Sequence, residues 1–342
     1  MMRIAYLLED TEMAGGIRVA VAHADVLTAR GHDVTLVTKG GPLTWRRSHA
    51  RWQHVASFEE AGLTSYDFVV ATFWRTVEPA FRIAGARTIH FCQGYEGSFT
   101  AYRDLKPQID EVYRLPIPKI TVSPHLVDIC RRFHDDATYV GQIVDDDFYQ
   151  PHVPRGGRPR VLLVGPMQAD FKGIDVGYEA ARRARLVGGP EFDLVRVSQW
   201  VPADDEPTAL AAEFHVGLPT ADMARLVASC DVFLGPSRQQ EGFGLPAAEA
   251  MASGVPAILS AIPSFESWGA DVSSAHDFAL FVDEGDGASM GDALVALLAD
   301  PQRRDALAQR GREIAEQFRA GATGARLESY FTARLPRRTS GR

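Results

Sequence analysis

The sequence lacks several features that would place it in common classes of protein. It has only three cysteines, Cys92, Cys130 and Cys230, which lie far apart and show no metal-ligand spacing. We therefore expect reduced thiols and a cytosolic setting. No stretch approaches the ~18 apolar residues of a membrane-spanning helix. The apolar run at the amino terminus is too short for a signal peptide.

An excess of basic residues is also missing. The 36 Lys and Arg residues are outnumbered by 44 Asp and Glu residues, which gives a formal net charge of −8. This balance gives no indication of wholesale nucleic-acid binding. The remaining composition, 46% hydrophobic and 23% charged residues, is that of an ordinary globular protein. We expect a cytoplasmic protein and leave open peripheral contact with the inner face of a membrane; the sequence does not predict an oligomeric state.

Short apolar runs alternate with amphipathic stretches along the chain. Residues 3–8 read as a buried strand, 17–30 as a helix and 32–38 as the next strand, which together predict a βαβ unit with parallel strands. Prolines, glycines and mixed charge interrupt the pattern at 145–160, which we interpret as a linker. The pattern then restarts, so the chain divides into two successive α/β halves.

Strands that are buried on both faces and separated by helices predict doubly wound sheets. We expect an α/β protein of two Rossmann-like domains that face each other across a cleft. The predicted ranges are 1–150 for the N-terminal domain, 158–320 for the C-terminal domain, and 321–342 for a helix and tail that pack back on the N-terminal domain. Ligands should bind beyond the carboxyl ends of the strands.

Two glutamates, Glu241 and Glu249, flank a glycine-rich turn that follows a predicted strand. The segment 242–247 fits the G-x-G-x-x-A pattern of dinucleotide-binding proteins. However, it lies late in the second half rather than in a first βα turn, and no acidic residue ends the next strand. A nicotinamide-dependent oxidoreductase is therefore disfavoured.

An anion site explains this turn better. Pro246 suits the first turn of a helix, so we expect that helix to begin at Leu245 or Pro246. Gly242 and Gly244 let a ligand approach the main chain, and the free N–H groups of a helix start bind anions. A carboxylate on each side of a bound phosphate can hold the hydroxyls of two rings. The sequence therefore predicts a site for a nucleotide-sugar.

The segment E-G-F-G-L-P-A-A-E-A-M-A-S-G-V-P (241–256) resembles the E-x7-E signature of the family-4 retaining glycosyltransferases, which have the glycosyltransferase B fold. The glycine-rich loop that precedes Ile17, and the segment 217–237, are similar to other parts of that family. The resemblance implies that the C-terminal domain binds the donor and the N-terminal domain the acceptor. It also implies that Glu241 contacts the donor sugar and Glu249 the ribose.

The resemblance implies that Lys172, which we expect to open a helix, neutralises the leaving diphosphate. Members of the family usually have an Arg directly after the preceding glycine, where this chain has Pro166. Arg18 and Arg238 are candidates to replace that cation, and Arg196 is a weaker one. The predicted catalytic residues are Glu241, Lys172 and His90, and the predicted donor-binding residues are Glu249, Gly242, Phe243, Gly244, Leu245, Gly16, Arg18 and Arg238.

The segment H-F-C-Q-G-Y-E-G (90–97) follows a predicted strand and is similar to a polar segment of some family members. His90 either contacts the donor sugar or acceptor, or is a core histidine; both readings stay open. The predicted acceptor-binding residues are Gly15, Gln93, Tyr95 and Glu96. The acidic run 145–147 contains D-x-D, but it lies in the predicted linker and reads as a solvated charge run, so we predict no metal site.

We therefore expect a retaining, metal-independent hexosyltransferase. It would move a sugar from a nucleotide-diphosphate-sugar to a hydroxyl of a glycan, lipid or small-molecule acceptor, with no cofactor. One alternative is a nucleotide-sugar-binding protein with impaired catalysis, because the Arg expected at position 166 is missing. Another is a nucleotide-sugar epimerase or a phosphorylase on the same fold. The sequence does not specify the base, the donor sugar or the acceptor.

Overall fold

The computed structural model describes residues 1–12, 15–153, 156–269 and 277–335. Parts of three predicted segments lie outside the described residues: 13–14 of the glycine-rich loop, 154–155 of the linker and 336–342 of the tail. The chain folds into two compact units. Unit 1 comprises Met1–Ser98, Tyr102–Ile143 and the chain from Ala320 onward, and unit 2 comprises Phe99–Ala101 and Val144–Arg319.

Unit 1 is built on a parallel sheet of seven strands. The strands are β1 (Arg3–Leu8), β2 (Asp33–Thr38), β3 (Arg51–His54), β4 (Phe68–Ala71), β5 (Thr88–Cys92), β6 (Lys119–Thr121) and β7 (Ala137–Tyr139). Their order across the sheet is β3-β2-β1-β4-β5-β6-β7. The first helices of the unit are α1 (Gly15–Ala29), α2 (Trp74–Ala84), α3 (Lys106–Arg114) and α4 (Pro124–Arg131).

Unit 2 repeats this plan with a parallel sheet of six strands. The strands are β8 (Arg160–Val164), β9 (Asp193–Ser198), β10 (Glu213–Val216), β11 (Val232–Gly235), β12 (Ala257–Ser260) and β13 (Leu280–Val282), in the order β10-β9-β8-β11-β12-β13. The helices are α5 (Ile174–Leu186), α6 (Thr220–Ala228), α7 (Leu245–Ala252), α8 (Pro263–Glu266), α9 (Gly287–Ala299) and α10 (Pro301–Ala315).

In both sheets the first strand lies in the middle, and the strand order reverses beside it. β1 pairs with β2 and β4, and β8 pairs with β9 and β11. Such a reversal opens a crevice at the carboxyl ends of the strands, where ligands bind in doubly wound folds. The prediction of two doubly wound α/β domains is confirmed.

The last helix, α11 (Ala320–Arg334), belongs to unit 1 and packs against α1. Arg30 at the end of α1 donates to Glu328 of α11 at 2.6 Å, and Thr323 donates to the carbonyl of Gln142 at 2.8 Å. The carboxyl-terminal helix therefore completes the unit in which the chain begins.

Each unit has its own apolar core between the sheet and its helices. In unit 2, side chains such as Leu163, Tyr178 and Leu294 are at most 1% exposed. In unit 1, Val69 and Val77 are fully buried. Burial of each such side chain contributes roughly 1.5–3 kcal/mol, so these cores fix the sheets that carry the loops described below.

Some elements differ from the sequence-based expectations. The prediction that Lys172 opens a helix is wrong: Lys172 ends a 3₁₀ turn (Asp170–Lys172), and α5 begins two residues later. Strand β3 was not predicted. It has the sequence R-W-Q-H and lies half-exposed to exposed at the sheet edge, so it lacks the apolar run that indicates a buried strand. Helix α2 was not predicted either, because it has a polar face and contains Pro79, a residue that is unfavourable inside a helix.

Candidate active site

The turn between β11 and α7 depends on a glycine. Gly244 precedes α7 with φ of 86°, and a Cβ atom on it would lie 2.2 Å from Cε1 of Phe265. Both the left-handed conformation and the close approach therefore require glycine. Helix α7 begins at Leu245 with Pro246 in its first turn, as predicted. The sequence thus sets where this helix begins.

Glu241 is buried in this turn, with an exposed fraction of 6%. Its carboxylate accepts hydrogen bonds from the Lys172 ammonium at 2.7 Å, the Ser237 hydroxyl at 3.1 Å and the Gly244 main-chain N–H at 3.1 Å. Burial alone would raise the pKa of Glu241, but the Lys172 charge and these hydrogen bonds hold it below its usual value. Glu241 is therefore ionised at neutral pH.

Lys172 reaches Glu241 because the loop after β8 lies against the loop after β11. Gly173, with φ of 60°, allows this approach, since a Cβ atom there would lie 2.0 Å from the carbonyl oxygen of Pro236. The Lys172 side chain is 18% exposed. A cation held at the carboxyl ends of two adjacent strands can meet a phosphate at this sheet edge.

A small recess lies at this pair, and its volume is about 10 Å³. That is roughly the space that one water molecule needs. Its lining includes Lys172, Ser237, Glu241, Gly244 and Pro246. In this structure the Glu241 carboxylate accepts hydrogen bonds from the Lys172 ammonium and from a main-chain N–H near the start of α7. The sequence predicts that these same donors bind a phosphate.

The other predicted donor-binding residues of this turn differ in how far they are buried and in which of their atoms a ligand could contact. Glu249 is 2% exposed within α7, and Leu245 is half-buried. The ring of Phe243 lies in the core of unit 2, 5.1 Å from Trp268 and 5.0 Å from Phe318 between centroids. Phe243 can therefore offer a ligand its main chain, but not its side chain. Gly242 is buried beside it.

The candidate replacement cations are engaged elsewhere or lie in the other unit. Arg238 donates to Asp175 of α5 at 2.6 Å. Arg196 is fully buried, and it donates to Glu206 at 2.9 Å and to main-chain carbonyls next to β8. A phosphate contact by Arg196 is thus not supported; its role is to fix the end of β8. Arg18 is half-buried in α1 of unit 1.

In unit 1, two of the predicted residues meet where β4 ends. Gln93 donates to the main-chain carbonyl of Thr72 at 3.2 Å. Its Oε1 atom lies 3.3 Å from where a Cβ atom on Gly16 would be, so the glycine allows α1 to approach this side chain. Gly15, the exposed first residue of α1, precedes this contact. The carboxyl ends of β4 and β5 and the start of α1 therefore come together.

Glu96 is 7% exposed and connects two elements. Its Oε1 accepts from the Trp74 main-chain N–H at 3.3 Å, and its Oε2 accepts from the Tyr113 hydroxyl at 2.6 Å. Burial raises the pKa of Glu96 to about 7, and the hydrogen bonds only partly oppose that rise. Tyr95, half-buried beside it, donates to Asp110. Glu96 thus holds the start of α2 and is not itself presented to solvent.

His90 is fully buried in β5, with its ring centroid 4.7 Å from that of Tyr113. Neither ring nitrogen has a hydrogen-bond partner among the described residues. Burial lowers the pKa of His90 to about 3, so the ring is neutral at physiological pH. His90 has no surface through which to contact a substrate, so its predicted catalytic role is not supported by its position.

Sequence reasoning missed several residues that build the site. Ser237 binds Glu241, Asp175 binds Arg238, and Thr72 binds Gln93. Ser237 and Thr72 each lie just beyond the end of a central strand, and that position is a signal that could have found them. In the described part of the chain, no group of three or more His, Cys, Asp or Glu residues could hold a metal ion. No helix within the described ranges has the length and hydropathy needed to cross a bilayer.

Three comparisons place the chain among known proteins. The sequence profile of the family described as "Glycosyl transferases group 1" matches residues 158–300. A D-inositol 3-phosphate glycosyltransferase of Corynebacterium efficiens is 30% identical over 338 positions, which cover 84% of this chain and 78% of the relative. A phosphatidyl-myo-inositol mannosyltransferase of Mycobacterium leprae is 29% identical over 219 residues, 59% of this chain. The chain spans 55% of the length of that relative.

The fold has a close counterpart among solved structures. The Anabaena protein HepE, solved in complex with UDP-glucose, superposes with a TM-score of 0.81 at 14% identity and covers 97% of this chain and 100% of its own. At that identity the likeness shows the fold alone. Together with the C. efficiens relative and the matching profile, it shows that the chain belongs to the group 1 glycosyl transferases, that is, the family-4 glycosyltransferases of the glycosyltransferase B fold.

Proposed function

We propose that the protein is a retaining, metal-independent glycosyltransferase that moves a sugar from a nucleotide-diphosphate-sugar to an acceptor hydroxyl. The observation that carries this proposal is the ion pair between Lys172 and the buried Glu241 at the start of α7. A cation and a carboxylate meet there at one recess beside the start of α7, at the carboxyl edge of the second sheet. These are the groups that a sugar joined to a diphosphate requires.

In the proposed reaction the acceptor oxygen bonds to the anomeric carbon while the bond from that carbon to the diphosphate oxygen breaks. Negative charge develops on the departing diphosphate, so preorganised donors at that position lower the barrier. Lys172 and the N–H groups of the α7 start are those donors. Glu241 contacts the donor sugar, and Glu249 the ribose. The acceptor proton passes to the leaving phosphate oxygen.

Retention is proposed on the resemblance to the family-4 retaining glycosyltransferases, and in this proposal the acceptor attacks on the face from which the diphosphate leaves. Glu241, the one carboxylate among the described residues that line the recess, is bound by Lys172, Ser237 and Gly244, which disfavours it as a covalent nucleophile. Metal independence is proposed because Lys172 supplies the charge that a divalent cation would otherwise supply to the diphosphate.

A binding screen followed by product analysis tests the proposal. We expect one nucleoside diphosphate among those of uridine, guanosine, adenosine and thymidine to raise the melting temperature of the protein, since a ligand that binds only the folded state stabilises it. With the matching nucleotide-sugar, NMR of the product should show the anomeric configuration of the donor. An inverted product would contradict retention, and a new nucleotide-sugar would identify an epimerase.

A further inference from the structure

An aromatic corner follows β4 in unit 1. It consists of Phe73, Trp74 and Tyr102, whose ring centroids are 5.9 Å (Phe73–Trp74), 6.3 Å (Phe73–Tyr102) and 6.5 Å (Trp74–Tyr102) apart. Their planes are inclined by 55° to 70°, so the rings meet at angles rather than in a stack. Phe73 and Tyr102 are half-buried, while Trp74 is 8% exposed. The corner therefore has two partly open walls and a buried base.

The base of the corner carries an unsatisfied hydrogen-bond donor. The indole Nε1 of Trp74 is buried, and no described residue accepts a hydrogen bond from it. A buried polar group without a partner costs about 1–3 kcal/mol, so such groups are rare without a reason. The atom is closed to solvent in this structure, so the Trp74 side chain would have to turn toward the corner before a ligand hydroxyl there could accept this hydrogen bond and remove the cost.

The position of Trp74 is fixed by the predicted acceptor segment. Its main-chain N–H donates to Glu96 at 3.3 Å, and Glu96 is held in turn by the Tyr113 hydroxyl. Gln93 binds Thr72, which lies two residues before Trp74. The corner thus lies at the carboxyl edge of the first sheet, where doubly wound folds bind ligands.

The surroundings of the corner favour a polar ring over an acyl chain. Arg75 is exposed and places its guanidinium 5.1 Å from the centroid of the Trp74 ring, and Arg103 is exposed next to Tyr102. An extended apolar chain would need a continuous apolar groove, and these charges interrupt one. A saturated six-membered ring with hydroxyls has apolar C–H faces for the aromatic walls and polar edges for the donor.

We propose that Phe73, Trp74 and Tyr102 form the acceptor subsite, and that the acceptor presents a polyhydroxylated six-membered ring, a pyranose or a cyclitol. One ring hydroxyl accepts the hydrogen bond of Trp74 Nε1 while the ring faces contact Phe73 and Tyr102. This inference rests on the proposed glycosyltransferase function and names the chemical class of its acceptor.

The test compares acceptors and then variants, with the donor found in the binding screen. Glucose, mannose and myo-inositol are the ring acceptors, and glycerol and octanol are the acceptors without a ring. We expect transfer to at least one ring acceptor to exceed transfer to glycerol at equal hydroxyl concentration. Trp74→Phe keeps an aromatic ring at this position but removes the N–H and the second ring of the indole, so it should raise the KM of that acceptor roughly 3- to 10-fold.

Two further variants separate recognition from folding. Tyr102→Leu removes an aromatic wall without touching the buried base, and should raise the acceptor KM by a similar factor. Trp52→Phe, on edge strand β3, is the matched control and should leave it unchanged. Donor KM and donor hydrolysis without acceptor should also stay at the wild-type values in Trp52→Phe.

The outcomes are distinct. A wild type that binds and hydrolyses the donor but prefers glycerol or octanol, or uses no ring acceptor, overturns the subsite and leaves the donor site intact. Unchanged acceptor KM values in both Trp74→Phe and Tyr102→Leu also overturn it. A wild type that binds no nucleoside diphosphate and hydrolyses no nucleotide-sugar contradicts the proposed function, and the subsite with it.

Discussion

The ammonium of Lys172 lies 2.7 Å from Oε2 of Glu241, although 69 positions separate the two residues in the sequence. They meet because β8 and β11 are neighbours in the second sheet and their following loops touch at Gly173 and Pro236. Each residue therefore sets the environment of the other before any donor arrives: the cation keeps a buried carboxyl ionised, and the carboxylate orients the cation.

Removal of Lys172 should destabilise the protein as well as inactivate it. Lys172→Ala leaves the buried Glu241 carboxylate without its cation, which typically costs about 3–5 kcal/mol of unfolding free energy. The double variant Lys172→Ala with Glu241→Gln should lose less than the sum of the two single changes, since no charge remains buried. Urea unfolding of the four proteins measures this coupling; additive losses would show that the pair is not coupled.

Turnover should fall by on the order of 10²–10³ in Lys172→Ala and in Glu241→Ala.

Glu96 should make the stability of the protein depend on pH above pH 4.5. Its pKa is about 7 in the folded protein against an ordinary value of 4.5, so the folded state holds a proton that the unfolded chain releases in that range. The contribution of Glu96 is therefore most favourable below pH 4.5 and falls as the pH rises to about 7, by roughly 3 kcal/mol in total.

Glu96→Gln tests this dependence, because the amide keeps an acceptor for the Trp74 N–H and does not ionise. Relative to wild type, it should gain unfolding free energy as the pH rises from 5 to 7.5, measured by urea unfolding at each pH. Glu111→Gln, at an exposed position in the same unit, is the control and should follow the wild-type profile. A constant difference between Glu96→Gln and wild type across this range would show that Glu96 does not titrate there.

Arg196 should matter for folding and not for donor binding. Its side chain and that of Glu206 are both fully buried, so Arg196→Met leaves a buried carboxylate unpaired and should cost about 3–5 kcal/mol. Arg225→Met breaks an exposed ion pair with Asp222 in the same unit and should change stability little. At a temperature where Arg196→Met is folded, its donor KM should equal that of the wild type. A selective rise in donor KM would instead indicate a phosphate contact.

Gly244 should tolerate no side chain, for two separate reasons. Gly244→Ala meets both an unfavourable backbone conformation and the Phe265 ring. Gly217→Ala meets the conformational cost alone, since Gly217 has φ of 62° and open space around it. We expect a loss of about 1–2 kcal/mol for Gly217→Ala, the cost of a left-handed residue without glycine, and a clearly larger loss for Gly244→Ala. Thermal unfolding compares the two; equal losses would show that the Phe265 contact relaxes freely.

Removal of metal ions should not affect turnover. Lys172 and the N–H groups of the α7 start carry the diphosphate charge in the proposed reaction, so no divalent cation is required. The initial rate in excess EDTA should match the rate in excess magnesium. Strong inhibition by EDTA that magnesium reverses would contradict metal independence.

Buried apolar runs allowed much of this fold to be predicted from the sequence. Strands such as β1 and β11 lie in the sheet interior, and only continuous apolar runs suit that position, so both α/β halves were recognisable. The start of α7 was equally predictable, because Pro246 favours the first turn of a helix and Gly244 permits backbone conformations that other residues avoid. Edge strand β3 and helix α2 carried weaker patterns, since half of their surface faces water.

The candidate site was only partly predictable, because its key contacts join distant segments. The types and positions of Lys172 and Glu241 indicated an anion site, but their direct pairing depends on which strands are neighbours. The burial of His90 was equally hidden, because a polar residue in an apolar strand has the same sequence pattern whether it faces a ligand or the core. Trp74 is the first residue of α2, just after β4, and the sequence there contains no motif that would indicate a binding site.

The path of the chain between the two units affects how this protein can be divided into fragments. The short stretch Phe99–Ala101 belongs to unit 2, although the chain before and after it belongs to unit 1. The Phe99 ring stacks on Phe171 with centroids 5.1 Å apart, directly beside Lys172 in the 3₁₀ turn. A recombinant fragment of residues 144–319 would lack Phe99 and therefore its ring contact with Phe171. The loop that carries Lys172 would then be less well ordered than in the intact enzyme. Donor affinities measured on such a fragment would therefore understate those of the whole protein.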